Sequence, residues 1–283
     1  MIRIAVTSAQ NPEKPTAMEP SGQQSLWTAI ILAGQRPEVD AMAPHSNGGY
    51  KALIPIAGQT MLERVARALM ASSDIGRIVI MGQSPATLKA GLHPDLVEKG
   101  NITFVESHDG IAASIHGIIG TERAPWPVLA TTADNPLLTE EILDCFFQAH
   151  DGQDVAVGVV ERQTMLAAYP DARRTWLKFR GGAYSGANLF ALHNEAAKPA
   201  VDFWSMVEQD RKKGWKIFAH FGPWLLLRAI TRTIGFRQAM AKAGRRMNLR
   251  AEPIVLPIAE AAIDVDKPSD LELVTGILSA REG

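Results

Sequence analysis

Asp134 is the residue in this sequence best placed to hold a metal ion. It follows an apolar run, Val128 to Thr132, that reads as a buried strand, so its carboxylate stands at that strand's C-terminal edge. Pro136 closes the strand by removing a backbone donor. Magnesium takes one or two carboxylates and completes its shell with substrate phosphates and water, which a lone strand-end aspartate suits. The competing role, capping the helix that follows, falls to Thr139 instead. Asp264 and Asp266 flank Val265 in a strand-like stretch, so alternation sends them to opposite faces and only one can share a pocket with Asp134. Asp270 belongs to the first turn of the closing helix, where its charge favours the dipole.

A second group of residues suits phosphate. The apolar run Thr28 to Ala33 ends at Gly34, where the missing side chain lets a phosphate approach backbone N–H groups. The loop from Gly34 to Tyr50 carries Arg36, His45, Ser46 and Asn47, and Lys51 follows it as a compact charge for triphosphate oxygens. A surface loop with a solvated lysine has the same local pattern, so this segment by itself leaves both readings open. Gly82 ends the second core strand, where its backbone can approach a base.

Several chemistries are excluded. The seven histidines include no His-x-x-x-His pair, and His108-Asp109, the nearest approach to a metal motif, reads as a surface turn. There is no Gly-x-Ser-x-Gly elbow for a serine hydrolase and no P-loop. The single cysteine, Cys145, rules out an internal disulfide and a multi-cysteine zinc site, and its surroundings read as the inner face of a helix. A net charge of −1 gives no general attraction to nucleic acid.

These residues need a scaffold that gathers strand ends. Strands are expected at 28–33, 77–82, 102–105 and 128–132, with helices at 60–72, 111–119 and 139–149 between or after them. Such alternation predicts a mostly parallel sheet covered on both faces, with ligands at the strand C-termini. Further strands are expected at 154–160, 175–179, 186–191 and 253–256, and a last helix over 269–280. Residues 1–26 read as a strand-like stub or flexible leader, too short in apolar run for a signal peptide or a membrane span, and the compartment as cytoplasmic.

The order of the motifs carries a resemblance. Leu32-Ala33-Gly34, Lys51 to Leu62, Gly110 to Ser114, Ala133 to Pro136 and Ile263 to Leu271 together resemble the MobA-like NTP transferase family, GT-A-type nucleotidyltransferases that include molybdenum-cofactor guanylyl- and cytidylyltransferases. Gln35 stands where that family has a second loop glycine. The resemblance implies a Rossmann-like, three-layer GT-A α/β fold over residues 27–283 with a helical insert at 194–247. It implies that Leu32, Ala33, Gly34, Gln35, Arg36 and Lys51 hold the NTP, with Gly82 and Ser114 near the base. Asp134 and Asp266 become the Mg2+ ligands, Lys51 and Asp134 the catalytic pair, and Tyr184 and Asn188 contacts to the acceptor.

The activity so implied is transfer of NMP from an NTP, CTP or GTP by preference, to a phosphorylated acceptor, releasing pyrophosphate. A GT-A glycosyltransferase would ordinarily show Asp-x-Asp where this chain has Ala133-Asp134-Asn135. A non-catalytic nucleotide-binding regulator is the alternative from another class. Residues 221–246 alternate arginines with apolar side chains, a pattern that suits either a helix capping the acceptor pocket or peripheral contact with a membrane or lipid-linked acceptor. Monomer and homodimer are equally compatible.

Overall fold

Every residue of the first strand, β1 (Trp27–Leu32), is buried, because β1 lies in the middle of the sheet with neighbours on both sides and helices on both faces. The computed structural model describes residues 26–34, 42, 46, 49–107, 110–209 and 223–282. The expected leader, apart from Leu26, and most of the loop after Gly34, Gln35 and Arg36 included, lie outside them.

A 3-10 turn at Lys51–Leu53 leads into a small hairpin of β2 (Pro55–Ile56) and β3 (Gln59–Thr60), which α1 (Met61–Ala71) follows directly. The Thr60 side chain accepts a hydrogen bond from the Glu63 amide and so starts α1. Next come β4 (Ile75–Gly82), two short helices α2 (Pro85–Ala90) and α3 (Pro94–Lys99), β5 (Ile102–Glu106) and α4 (Ile111–His116). Strand β6 (Val128–Thr132) precedes α5 (Glu140–Gln148), which Thr139 caps by accepting from the Ile142 amide. The second half holds β7 (Val155–Glu161), α6 (Arg162–Ala168), β8 (Leu177–Phe179), β9 (Gly182–Leu192) and α7 (Lys198–Gln209). Helices α8 (Pro223–Ile230) and α9 (Phe236–Arg246), strand β10 (Ala251–Leu256), a 3-10 turn at Ala259–Ala262 and helix α10 (Pro268–Glu282) complete it.

The strands form one sheet in the order β10-β7-β9-β6-β1-β4-β5, with β8 on the outer reach of β9. Pairings β1–β4, β1–β6, β4–β5 and β7–β10 are parallel, whereas β9 runs antiparallel to β6, β7 and β8. All other strands of this sheet therefore end on one edge. Alternation along β1 builds the two covering layers. Ala29 and Ile31 pack with Leu62 and Val65 of α1, Phe146 of α5 and Val274 of α10. Ile30 and Leu32 face the other way, toward Ile115 of α4 and Val201 of α7. This is a three-layer α/β architecture with a mostly parallel sheet.

Two local expectations need correction. Residues 263–267 form no strand ladder; the segment is tied to the strand end by the Val265 amide, which donates to the Asp134 carbonyl at 2.9 Å. The helix expected over 111–119 stops at His116, after which the turn tightens, the Ile118 amide donating to the Ile115 carbonyl three residues back at 3.0 Å. The 55–60 hairpin and α2, α3 and α6 have stretches too short for periodicity to announce.

Candidate functional site

Strand β6 delivers Asp134 to the edge. The Ala133 amide continues the parallel ladder by donating to Leu32 O at 3.0 Å, which fixes the chain one residue before the aspartate. Asn135, 1% exposed, donates its side-chain amide to Ala187 O at 3.2 Å and Ala261 O at 3.4 Å. This pins the turn after β6 to β9 and to the 259–262 turn. Val265 is then held on the Asp134 backbone, so the carboxylates on either side of it are placed by the strand end itself.

Lys51 enters from the other side. Ala52, Leu53 and Ile54 are buried and anchor the 3-10 turn in the core, which fixes the start of the lysine side chain. Its ammonium lies 2.7 Å from Asp134 Oδ2 and 2.8 Å from Asp266 Oδ1, donating to both. Burial pushes the Lys51 pKa down, and the Asp134 and Asp266 carboxylates more than offset that, leaving it above 10.5. The ammonium is therefore charged throughout the physiological range. Two carboxylates around one ammonium leave an excess negative charge. Asp134 Oδ1 is buried and makes no hydrogen bond among the described residues, an arrangement that favours a cation beside it. The Asp266 side chain is 67% exposed and can turn its second oxygen toward an incoming ion. This donor set of hard oxygens fits magnesium.

Asp264 faces away from the lysine, as alternation predicts. It pairs with Arg174, and Asn188 donates to its Oδ2 at 3.3 Å. Arg174 also lies 3.6 Å from Asp270 Oδ1, and Asp270 accepts the Asp266 amide at 3.1 Å. Arg174, Asp264 and Asp270 thus clamp the segment that presents Asp266. Asn188 takes a left-handed backbone, φ 51°, which asparagine tolerates better than most side chains.

The remaining expected residues divide. Leu32 and Ala33 are buried, and the Ala33 amide donates to Met81 O at 2.8 Å, so Gly34 is the first position where the backbone leaves the ladder. Gly82 has a packing reason to be glycine. A side chain there would come within 2.5 Å of Leu88 Cδ1 and 3.2 Å of Ala33 O, so its glycine serves the packing of β4 against α2 and β1. The exposed position at this edge is Gln83, whose side chain lies beside Gly34. A polar residue immediately after a buried strand was the available signal for it. Ser114 donates its hydroxyl to Gly110 O at 2.7 Å within its own helix, which leaves only its acceptor capacity for a base. Tyr184 is not beside Asn188. Asn188 reaches Asp264, whereas the Tyr184 ring packs 5.1 Å from Phe236, which stacks on Phe179 at 4.8 Å.

The comparisons with known proteins agree with this fold. The profile of the MobA-like NTP transferase domain matches residues 29–201. Among curated proteins no sequence matches the chain significantly. A hypothetical transferase of Thermus thermophilus has a similar structure, with TM-score 0.73, 26% identity, and coverage of 87% of this chain and 100% of its own. A 4-diphosphocytidyl-2C-methyl-D-erythritol synthase of Anaerococcus prevotii shares the fold at TM-score 0.56 and 12% identity, covering 90% of this chain and 97% of its own. A CMP:2-keto-3-deoxy-manno-octonic acid synthetase complexed with CTP does so at TM-score 0.52 and 11% identity, covering 92% of this chain and 100% of its own.

Proposed function

The chain belongs to the MobA-like NTP transferase family, and from that premise we propose that it transfers NMP from CTP or GTP to a phosphorylated acceptor in a magnesium-dependent reaction. The observation that carries this reading is the Lys51 ammonium bridging Asp134 and Asp266, with the second Asp134 oxygen unpartnered at the strand edge. Asp134 and Asp266 would hold the magnesium, which supplies charge neutralisation on the phosphates when bound.

In the proposed step an acceptor phosphate oxygen forms a bond to the α-phosphorus of the NTP, and the bond from that phosphorus to the pyrophosphate oxygen breaks. The acceptor oxygen is already ionised near neutrality, so no side chain has to remove a proton. Lys51 carries a permanent positive charge into the site and can meet triphosphate oxygens without leaving the carboxylates that orient it. Gly34 permits close approach of the chain to the phosphates. The contribution of the protein is alignment and electrostatics.

The choice of CTP or GTP follows the family, and two fold neighbours support the cytidine nucleotide: one is a diphosphocytidyl compound synthase and the other was solved with CTP. Calorimetric titration with each NTP and magnesium, followed by pyrophosphate release with a panel of phosphorylated acceptors, tests the reading. Binding of CTP or GTP that disappears with chelator is expected. Binding of nucleotide-sugars in preference to any NTP would replace it with the glycosyltransferase, and NTP binding that no acceptor converts to pyrophosphate release would favour a regulator.

A further inference from the structure

The helical insert has a composition unlike the rest of the chain. Residues 211–250 contain eleven Lys and Arg and no Asp or Glu, against 18 Lys and Arg and 30 Asp and Glu elsewhere, in a protein whose net charge is −1. One stretch of sequence thus concentrates positive charge that the remainder more than cancels.

Helix α8 sits within this stretch and presents an apolar face to solvent. Among the described residues seven large apolar side chains are exposed, and three of them belong to this one eight-residue helix: Trp224 at 69%, Leu227 at 49% and Ile230 at 64%. Their spacing of three places them on one side of the helix. Arg232, Arg245 and Arg246 are exposed as well, and Arg237 is the one cation of α9 paired with a described acid, Glu252. The chain that follows the helix is anchored. The Arg180 amide of the β8–β9 turn donates to Ile234 O at 2.9 Å, and Phe236 stacks on Phe179. The C-terminal end of α8 is tied to that anchored segment, the Thr231 and Thr233 amides donating to Leu227 O and Arg228 O at 2.8 Å each.

We propose that this surface docks on an anionic lipid bilayer, with Trp224, Leu227 and Ile230 entering the headgroup region and exposed arginines of the same stretch meeting lipid phosphates. Tryptophan favours the membrane interface because its ring is apolar and its N–H needs a polar partner. A short apolar helix face among cations binds by burial and charge together, and neither alone holds it. No helix among the described residues is long and apolar enough to cross a membrane, so the contact is peripheral. Arg232 lines a cleft of about 530 Å³ with Arg162 and Lys178, so docking would bring that cleft close to the bilayer. The inference stands independently of the nucleotide chemistry.

Sedimentation of the full chain with phosphatidylcholine vesicles, and with vesicles carrying about a third phosphatidylglycerol, tests it. Binding to the anionic vesicles alone is expected, with a blue shift of tryptophan emission. Trp224→Ser/Leu227→Ser should lower that binding at least about tenfold, with thermal midpoint and NTP titration unchanged to show an intact fold. Arg245→Gln/Arg246→Gln should weaken binding and flatten its salt dependence. Three results would overturn the proposal: no binding to anionic vesicles, binding that survives the double serine variant, or duplex DNA held as tightly as the vesicles. A chain that is dimeric in solution and becomes monomeric with the serine variant would overturn it too, by showing that a second copy covers this face.

Discussion

The two edges of the sheet hold contrasting polar clusters. At the strand C-termini, Lys51, Asp134 and Asp266 keep full charges within hydrogen-bond distance, with unbalanced negative charge and an unpartnered oxygen. At the opposite edge Trp27, His150 and His193 line a cavity of about 640 Å³, with the two imidazoles 5.2 Å apart and Trp27 edge-on to His150 at 5.1 Å. Burial, then the neighbouring His193, lowers the His150 pKa from its ordinary 6.5, which favours the neutral ring. Asp74 and Asp144 also line that cavity, but no lysine among its lining residues joins them as Lys51 joins Asp134 and Asp266. Charge accumulates where loops leave parallel strands, because each C-terminal strand end presents a fresh side chain to the same small volume. The N-terminal edge instead packs rings on rings.

That contrast can be broken from either side. Asp134→Ala should have the largest effect, lowering turnover on the order of 10³-fold while circular dichroism and thermal midpoint stay near wild type. Retained pyrophosphate release at the original rate would remove Asp134 from the site. Lys51→Ala should weaken NTP use about 100-fold, seen in KM. It should also tighten Mn2+ binding measured without nucleotide, because an ammonium no longer offsets the charge of the two carboxylates. A lysine outside the site would change neither.

Arg174→Met touches no reacting group in the proposed step. By releasing Asp264 and the Asp270 contact to the Asp266 amide, it should loosen metal binding about tenfold, with Arg174→Lys recovering part of it. The smallest effect belongs to the opposite edge. Folded His150 binds fewer protons than the unfolded chain below pH 6.5, so its contribution to stability is complete above 6.5 and declines as pH falls below it. His150→Asn should flatten that part of the melting curve against pH, by about 2 °C in midpoint, without altering turnover at neutral pH. A change in turnover would mean that the two edges communicate.

Much of the frame is legible in the sequence. Strand β6 has the bounds Val128–Thr132 that its apolar run indicates, and the helices after Thr60 and Thr139 begin where those side chains cap them. Spacing places Asp134 at a strand end, and Asp264 and Asp266 on opposite sides of Val265. These features depend on neighbours within about four residues, where sequence spacing and spatial spacing coincide.

What spacing could not supply is the pairing of distant segments. Lys51 meets Asp266 across 215 positions, and only the folded sheet brings them to one edge. The reversal of β9 between β6 and β7 appears in no local pattern, yet it brings Asn188 to Asp264 and carries the hairpin that holds the start of α9. Gly82 shows the same limit. Its sequence position marks a strand end at the site edge, but the Leu88 side chain fills the space beside it, leaving Gln83 exposed there. Sequence alone determined which residues are strand ends, caps and charges, because those are properties of short stretches. Tertiary structure alone decided which charges meet, because that depends on the order in which strands from across the chain lie side by side.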